Sequence, residues 1–446
     1  MKKLITLLSI FALTYSVWAY DYEEDYFYYD IDSIAKTATI VDYDDSEQNV
    51  LGVVTCQRQI IYNGAIYTVV AIGNNAFDNC DKIQSITISR TITSIGKRAF
   101  YGCSNLNLIY HSDQFTSIGE EALDGTLWLS NQPDGCVYFG NHLYKYKGEM
   151  AENTSIEVAD GTLSICSHAF EKCQNLLSIT LPNSLKLIDK YAFAGCGLTS
   201  ISIPNSVDSI AIMAFTSCNS LTNIELTPSV KLLKSNVFSF CSALTSIDLS
   251  HINNIENGAF TGCTSLNSVI FGDSLSIIDK YAFMNCENLD SLILPATLDS
   301  IGQSAFHGCS GIEYMEVQAT TPPRIHKNTF DSVSREIKFV VPAESYEAYA
   351  THKYWKVFLG GEEETLDEHI NAESSNIYYD RQNHTLHFDV DNPMTVIIYD
   401  TMGKTILNNR VDTTTQQLPL NLNRGIYIVN ILTDNQSTIQ TKIMVK

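Results

Sequence analysis

Beyond its first nineteen residues the chain has no run approaching 18 consecutive apolar residues, which excludes a transmembrane helix. Positive charge is also scarce, with 28 Lys and Arg against 50 Asp and Glu and a net charge of −22. A surface of that sign repels phosphate backbones and anionic lipid, so the composition argues against a nucleic-acid partner and favours cationic ones. Catalytic signatures are missing too. There is no G-x-S-x-G and no H-E-x-x-H. Gly403-Lys404-Thr405 has the ending of a phosphate-binding loop, but Ile398 stands where that loop needs its first glycine. His384 and His387 form a lone pair beside a strand and the remaining histidines are scattered. No cofactor and no metal set is implied, and the chain reads as a non-enzyme.

The N-terminus does carry an export signal. Lys2 and Lys3 precede an apolar stretch from Leu4 to Val17, too short to remain in a membrane, and Val17 and Ala19 are the small residues a signal peptidase reads. Cleavage after Ala19 removes two lysines, leaving 26 positive against 50 negative residues, or −24.

The dominant positive feature is a repeat. Ala-Phe pairs end at Phe77, Phe100, Phe170, Phe193, Phe215, Phe260, Phe283 and Phe306, and Val237-Phe238, Thr329-Phe330 and Ala122-Leu123 keep the same register. The steps are 22 to 24 residues, and the one gap, from Leu123 to Phe170, is 47, or two steps. Twelve coils follow, one of them degenerate. In the unit Leu244 to Cys263, Ile247 and Leu249 alternate with polar residues as a short strand with one buried face, while Ile255, Ala259 and Phe260 return the chain to the core. A period near 23 lies in the leucine-rich-repeat range. One such unit cannot bury both of its faces, so the units must stack on a shared interior. The expected fold class is therefore a β-rich repeat solenoid, with a parallel sheet built from successive coils.

Twelve cysteines in an exported chain would ordinarily suggest disulfides. Nine of them, Cys80, Cys103, Cys173, Cys196, Cys218, Cys241, Cys263, Cys286 and Cys309, occupy one position in the repeat. Their side chains would point the same way into the core, against the dihedral a disulfide needs, so the spacing predicts a ladder of buried thiols. Cys56, Cys136 and Cys166 lie outside it and carry no readable pairing.

Around this array the chain divides into a signal peptide (1–19), an N-terminal β cap (20–72), the solenoid (73–317), a C-terminal cap (318–359), a linker (360–372) and a small β-sandwich domain (373–446). In the first cap, Asn63-Gly64 between Ile60 and Tyr67 marks a type I′ hairpin. The degenerate coil, 124–160, holds Trp128, Tyr138, Tyr144 and Tyr146 in an enlarged or protruding hairpin. Its aromatics could capture a glycan or pack against neighbouring coils.

Candidate binding residues fall on the outward side of the strands: Thr180, Ser202, Glu225, Asp248, Ile270, Ile293 and Glu316, with Thr87 and Tyr110 before them. Serines flank this column at 85, 178, 200, 246, 268 and 291. Glu225 and Asp248 lie in adjacent coils, as paired catalytic carboxylates can, but on an open face with no pocket implied. The face reads instead as a partner-binding platform.

The unit Leu177-Ser-Ile-Thr-Leu-Pro182 with Ile188, Ala192-Phe193 and Cys196 resembles the BspA-like leucine-rich repeat. That resemblance runs over roughly 72–330 and implies a surface-exposed protein. Some members of the family bind host matrix proteins or other bacteria, with glycans as the alternative ligand here. Val396 to Asp400 with Gly403 and Lys404, Arg424-Gly425-Ile-Tyr427-Ile-Val429 and Lys442 to Lys446 resemble the C-terminal sorting domain of type IX secretion substrates in Bacteroidota. This implies that Gly403, Lys404, Gly425, Tyr427, Lys442 and Lys446 belong to a signal read by the secretion machinery, which delivers the passenger to the outer-membrane surface or the medium.

Overall fold

A computed structural model describes residues 20–45, 52–360, 370–372, 375–380, 385–389, 394–400, 404–411, 417–419, 425–433 and 438–445. The expected signal peptide lies outside them. The chain divides into two units, Met1–Leu359 and Gly360–Lys446.

The first unit is a β-solenoid of about twelve turns. Each regular coil contributes an outer strand such as Ser246–Leu249, a two-residue strand such as Asn254–Ile255, and a corner carrying the Ala-Phe pair. The corner is the repeating joint. Its Phe N–H donates to the carbonyl of the next coil's residue before Phe, as in Phe100 to Ala122, Phe193 to Ala214 and Phe260 to Ala282, at 2.7–2.8 Å. The Phe rings then lie over one another. From Phe170 through Phe193, Phe215, Phe238, Phe260, Phe283 and Phe306 to Phe330, successive centroids are 5.0–5.5 Å apart and the planes differ by 1–22°. All eight rings are buried.

The thiol ladder fills the remaining need of this corner. Each Phe carbonyl accepts its own coil's Cys N–H, as in Cys263 to Phe260 at 3.2 Å, and has a second lone pair to satisfy. The next coil's thiol supplies it. Cys103, Cys196, Cys218, Cys241, Cys263, Cys286 and Cys309 donate Sγ–H to Phe77, Phe170, Phe193, Phe215, Phe238, Phe260 and Phe283 at 2.9–3.3 Å. Cys173 departs from the expected burial, being only half-buried.

The outer strands do not form the single continuous sheet the repeat suggests. They pair in short groups, among them Ser200–Ser202 with Asn223–Glu225, Ser246–Leu249 with Ser268–Phe271, and Ser291–Leu294 with Tyr314–Val317 and Lys338–Val340. One of the breaks, between Leu176–Thr180 and Ser200–Ser202, falls at a shortened coil. In the Phe193 coil a single residue, Gly197, separates Cys196 from Leu198, where other coils have two. The chain there runs so close to Gln174 that a Cβ would collide with its carbonyl oxygen.

The degenerate coil is a divider rather than a protrusion. Gly135–Phe139 and His142–Lys147 form an antiparallel hairpin, and His142-Leu143 joins the parallel two-residue strands through Ser164-Ile165. Tyr146 takes the Phe place: its N–H donates to Ala169 O at 2.8 Å and its ring lies 6.1 Å from that of Phe170. The hairpin sends side chains to both of its sides, with a register shift that leaves Tyr144 without a partner on the facing strand. Cys136, Tyr138, Leu143 and Tyr146 face the core that follows, while Phe139 and Tyr144 face the core that precedes. Buried His142 ties the coils on either side, with Nε2 on Phe115 O at 2.9 Å and Nδ1 on Ser164 Oγ at 2.6 Å. A carbonyl only accepts, so Nε2 carries the proton and Ser164 donates to Nδ1.

Both ends of the solenoid are closed by aromatics. Phe27 and Tyr43 of the first cap lie 6.1 and 5.3 Å from Phe77, and its hairpin turns at Asn63 and Gly64 with φ of 50° and 76°. Trp355 and Phe358 lie 5.3 and 5.6 Å from Phe330 at the other end.

The described residues of the second unit form two antiparallel four-stranded sheets. One orders Ile370–Ala372, Ser375–Asp380, Thr385–Asp389 and Gln417–Pro419; the other orders Thr405–Val411, Met394–Asp400, Gly425–Thr433 and Thr438–Val445. Residues 370–372, expected in the linker, pair with Ser375–Ile377 and so belong to this unit.

Two outcomes follow. Phe215→Ala empties a fully buried ring site and should cost about 3–5 kcal/mol in chemical denaturation. Burial lowers the pKa of His142, so the unfolded chain takes up the proton first. Its contribution is complete above about pH 6.5 and is lost as pH falls below that toward the folded pKa, by at most about 1.4 kcal/mol per pH unit. Unfolding free energies at pH 7.5 and 5.5 should therefore differ more in the wild type than in His142→Gln, and equal differences would refute the assignment.

Candidate functional site

The outer strands place their middle residues outward in one column because alternate side chains of a strand point to opposite faces. Thr180, Ser202, Glu225, Asp248, Ile270 and Ile293 are exposed there, and Glu316 is half-buried. Strand pairing sets Ser202 beside Glu225, Asp248 beside Ile270 and Ile293 beside Glu316. The flanking hydroxyls form a second column, in which Ser178 Oγ donates to Ser155 Oγ at 2.8 Å.

Glu225 and Asp248 are each hydrogen-bonded to a different serine. Ser202 Oγ donates to Glu225 Oε2 at 3.2 Å, drawing that carboxylate toward the preceding coil. Asp248 turns to its own chain, where Ser250 N–H donates to Oδ1 at 2.9 Å and, with the Ser250 hydroxyl, holds the carboxyl below its ordinary range. Glu316 is likewise held low by Gln318 and Tyr314, which donate at 3.0 and 2.7 Å. Their own-chain hydrogen bonds thus favour the charged form of Asp248 and of Glu316.

Between the Glu225 and Ile270 strands lies a groove of about 470 Å³, lined by Glu225, Pro228, Asp248, His251, Ser268 and Ile270 among others. His251 was not legible as a site residue, because it falls in the turn after the strand and outside the alternating column. Its Nε2 is buried and has no hydrogen-bond partner among the described residues. Large apolar side chains stand on the same face, with Ile270 at 56% and Ile293 at 48% exposure. Tyr110 is exposed in an earlier coil of this column. The column breaks at the degenerate coil, where the one-turn helix Leu127–Ser130, capped by Thr126 Oγ1, stands in place of a strand.

The aromatics of the degenerate coil are turned inward. Tyr144 is buried, accepting Leu123 N–H at 2.9 Å and donating to Asp124 Oδ1 at 2.6 Å. Tyr138 Oη accepts Ala159 N–H at 3.1 Å, Tyr146 lies against Phe170, and the half-buried Trp128 packs edge-on to Phe139 at 5.3 Å. They form core contacts and not an open stacking platform. Beside them, Glu121, Asp124, Lys145, Ser167, His168 and Glu171 with Tyr144 line a notch of about 220 Å³. Within it Lys145 pairs with Asp124 and His168 with Glu171, while Glu121 pairs with Arg98 outside it.

Of the expected sorting residues, Lys404 precedes the Thr405–Val411 strand, Gly425 and Tyr427 lie in Gly425–Thr433, and Lys442 pairs with Ile428 in Thr438–Val445. Gly403 and Lys446 lie outside the described residues. Among the described residues no group of His, Cys, Asp or Glu is arranged to hold a metal ion, and no helix is long and apolar enough to cross a membrane.

A family model described as BspA type leucine rich repeat region matches residues 63–150, 138–266 and 233–352, with six copies in all. A second model, the secretion system C-terminal sorting domain, matches residues 380–446. No curated protein matches the chain. Among solved structures, a leucine-rich repeat protein from Bacteroides ovatus is 25% identical, over 74% of this chain and 80% of its own, at a TM-score of 0.36. A leucine rich cell surface protein from Faecalibacterium prausnitzii is 22% identical, over 75% and 98%, at 0.33. A leucine-rich repeat protein from Eubacterium ventriosum is 22% identical, over 64% and 93%, at 0.35.

The internal role of Tyr144 can be tested directly. Tyr144→Phe leaves the Leu123 N–H buried without its acceptor and should cost about 1–3 kcal/mol in equilibrium unfolding. A substitution with no effect would mean that the hydroxyl is not structural.

Proposed function

The chain belongs to the BspA type leucine-rich-repeat family, and on that premise we propose that it is a binding protein acting outside the cell, with the sheet face from Ser202 to Glu316 as its contact surface. The sorting domain directs export by type IX secretion to the cell surface or the extracellular space. The reading within that location is carried by one observation: fixed carboxylates, an unpartnered buried imidazole nitrogen and two exposed isoleucines share one ordered groove and face.

That combination suits a protein ligand. Exposed aliphatic side chains offer a dry contact, and Glu225, Asp248 and Glu316 around them offer complementarity to Lys or Arg. The net charge of −22 steers such a ligand in from solution. Proteins on host cells or neighbouring bacteria that carry basic and aliphatic side chains together are the expected partners. Glycan capture through Trp128, Tyr138, Tyr144 and Tyr146 is the weaker reading, since no open ring face supports it.

Matrix proteins and the surface proteins of co-resident bacteria, immobilised and probed with the purified full chain, test this reading. Glu225→Lys with Asp248→Lys, and separately Ile270→Ser with Ile293→Ser, should each weaken binding at least tenfold while leaving unfolding midpoints close to wild type. Binding that survives both pairs and fails with Trp128→Ala instead would move the contact to the degenerate coil.

A further inference from the structure

We propose that Cys136 and Cys173 are the substrate pair for a disulfide in the exported protein, one that fastens the dividing hairpin to the coil that follows it.

The direction of the thiol ladder carries the argument. Wherever a regular coil precedes it, the ladder cysteine aims its sulfur back at that coil's Phe carbonyl. Cys80 and Cys173 each begin a run and have no such coil before them. Cys80 faces the first cap and is buried. Cys173 faces the hairpin, where Tyr146 stands in the Phe place and its ring lies 6.1 Å from that of Phe170. Directly across the hairpin from Tyr146 is Cys136. Residues directly opposite in an antiparallel pair project to the same face, so the Cys136 sulfur points to the side that Cys173 looks toward. Both cysteines pack on the same hydrophobic cluster.

Two further facts set this pair apart. Cys136 and Cys173 are the only half-buried cysteines, the other ten being buried. Neither thiol has a hydrogen-bond partner among the described residues, whereas seven ladder thiols are engaged with Phe carbonyls. Cys136 is also near enough to act on Cys173: burial first, and then the neighbouring Cys136, push Cys173 up to about 11. The ladder thiols themselves do not compete. They are sealed from solvent, and burial pushes Cys103 and Cys263 up to about 12.

The chemistry needs an external disulfide as oxidant, of the kind that thiol–disulfide exchange supplies outside the cytosol. One thiol loses its proton and attacks that disulfide, releasing one thiol and leaving a mixed disulfide. The other thiol then loses its proton and displaces the second sulfur. Two protons and two electrons leave the protein, and the oxidant departs as two thiols. Raised thiol pKa values make the reaction slow at neutral pH and faster in mild alkali.

The test incubates the full chain with oxidised glutathione at pH 8, alkylates it natively, digests it without reduction and maps peptides by mass spectrometry. The expected product is a single Cys136–Cys173 linked pair, two hydrogens lighter than the sum of the reduced peptides, with the ladder cysteines alkylated only after denaturation. The oxidised wild type should melt about 5 °C or more above the reduced wild type, and Cys136→Ser should abolish the difference. Recovery of Cys136 and Cys173 as separate glutathione adducts or as free alkylated thiols would overturn the proposal. So would a linkage of either to any other cysteine.

Discussion

The hydrogen bond from each Phe N–H to the next coil's carbonyl is the constraint on which the first unit rests. It fixes where the corner of one coil lies over the corner of the next, and the ring stack, the buried alanines and the thiol ladder all follow from that placement. The rings can lie over one another at 5.0–5.5 Å only because the backbones beneath them are held in step. The thiols are chosen for a related reason. A Phe carbonyl that already accepts one N–H needs a second, weak donor small enough to be buried in a corner, and cysteine supplies one with little desolvation cost.

The same rule explains why the hairpin can interrupt the array without breaking it. Between Ile118 and Leu123, or Ile165 and Phe170, a coil spends five steps turning its corner, whereas Leu143 reaches Tyr146 in three within one strand of the hairpin. The backbone bond to Ala169 is kept, so the following coils continue in register. What is lost is the shared interior, which splits into two clusters with the hairpin between them.

Much of this was legible from residue spacing. The Ala-Phe period gave the number of coils, the alternation of Ile247 and Leu249 gave the outward column, and Asn63-Gly64 marked its turn. Four things were not legible. Tyr146 hid the twelfth corner, because the Ala-Phe pattern does not register a tyrosine that arrives by a shortened path. The breaks between the outer strands do not track the period, since the unpaired step from Glu225 to Asp248 is as long as the paired step from Ser202 to Glu225. His251 lies in a turn where no alternation applies, so only the folded chain shows its ring nitrogen at the groove. The paired carboxylates Glu225 and Asp248 were visible as neighbours, but their separate hydrogen bonds to Ser202 and Ser250 were not.

The aromatic lids at the two ends have a consequence for how such a molecule changes over generations. Phe27 and Tyr43 meet the first ring, Trp355 and Phe358 meet the last, and neither pair contacts a ring in between. A unit of about 23 residues can therefore be duplicated or lost in mid-array while both terminal seals stay intact. Reach becomes a heritable variable that gene recombination can lengthen or shorten, and blunt polymerisation of one array onto another stays blocked throughout.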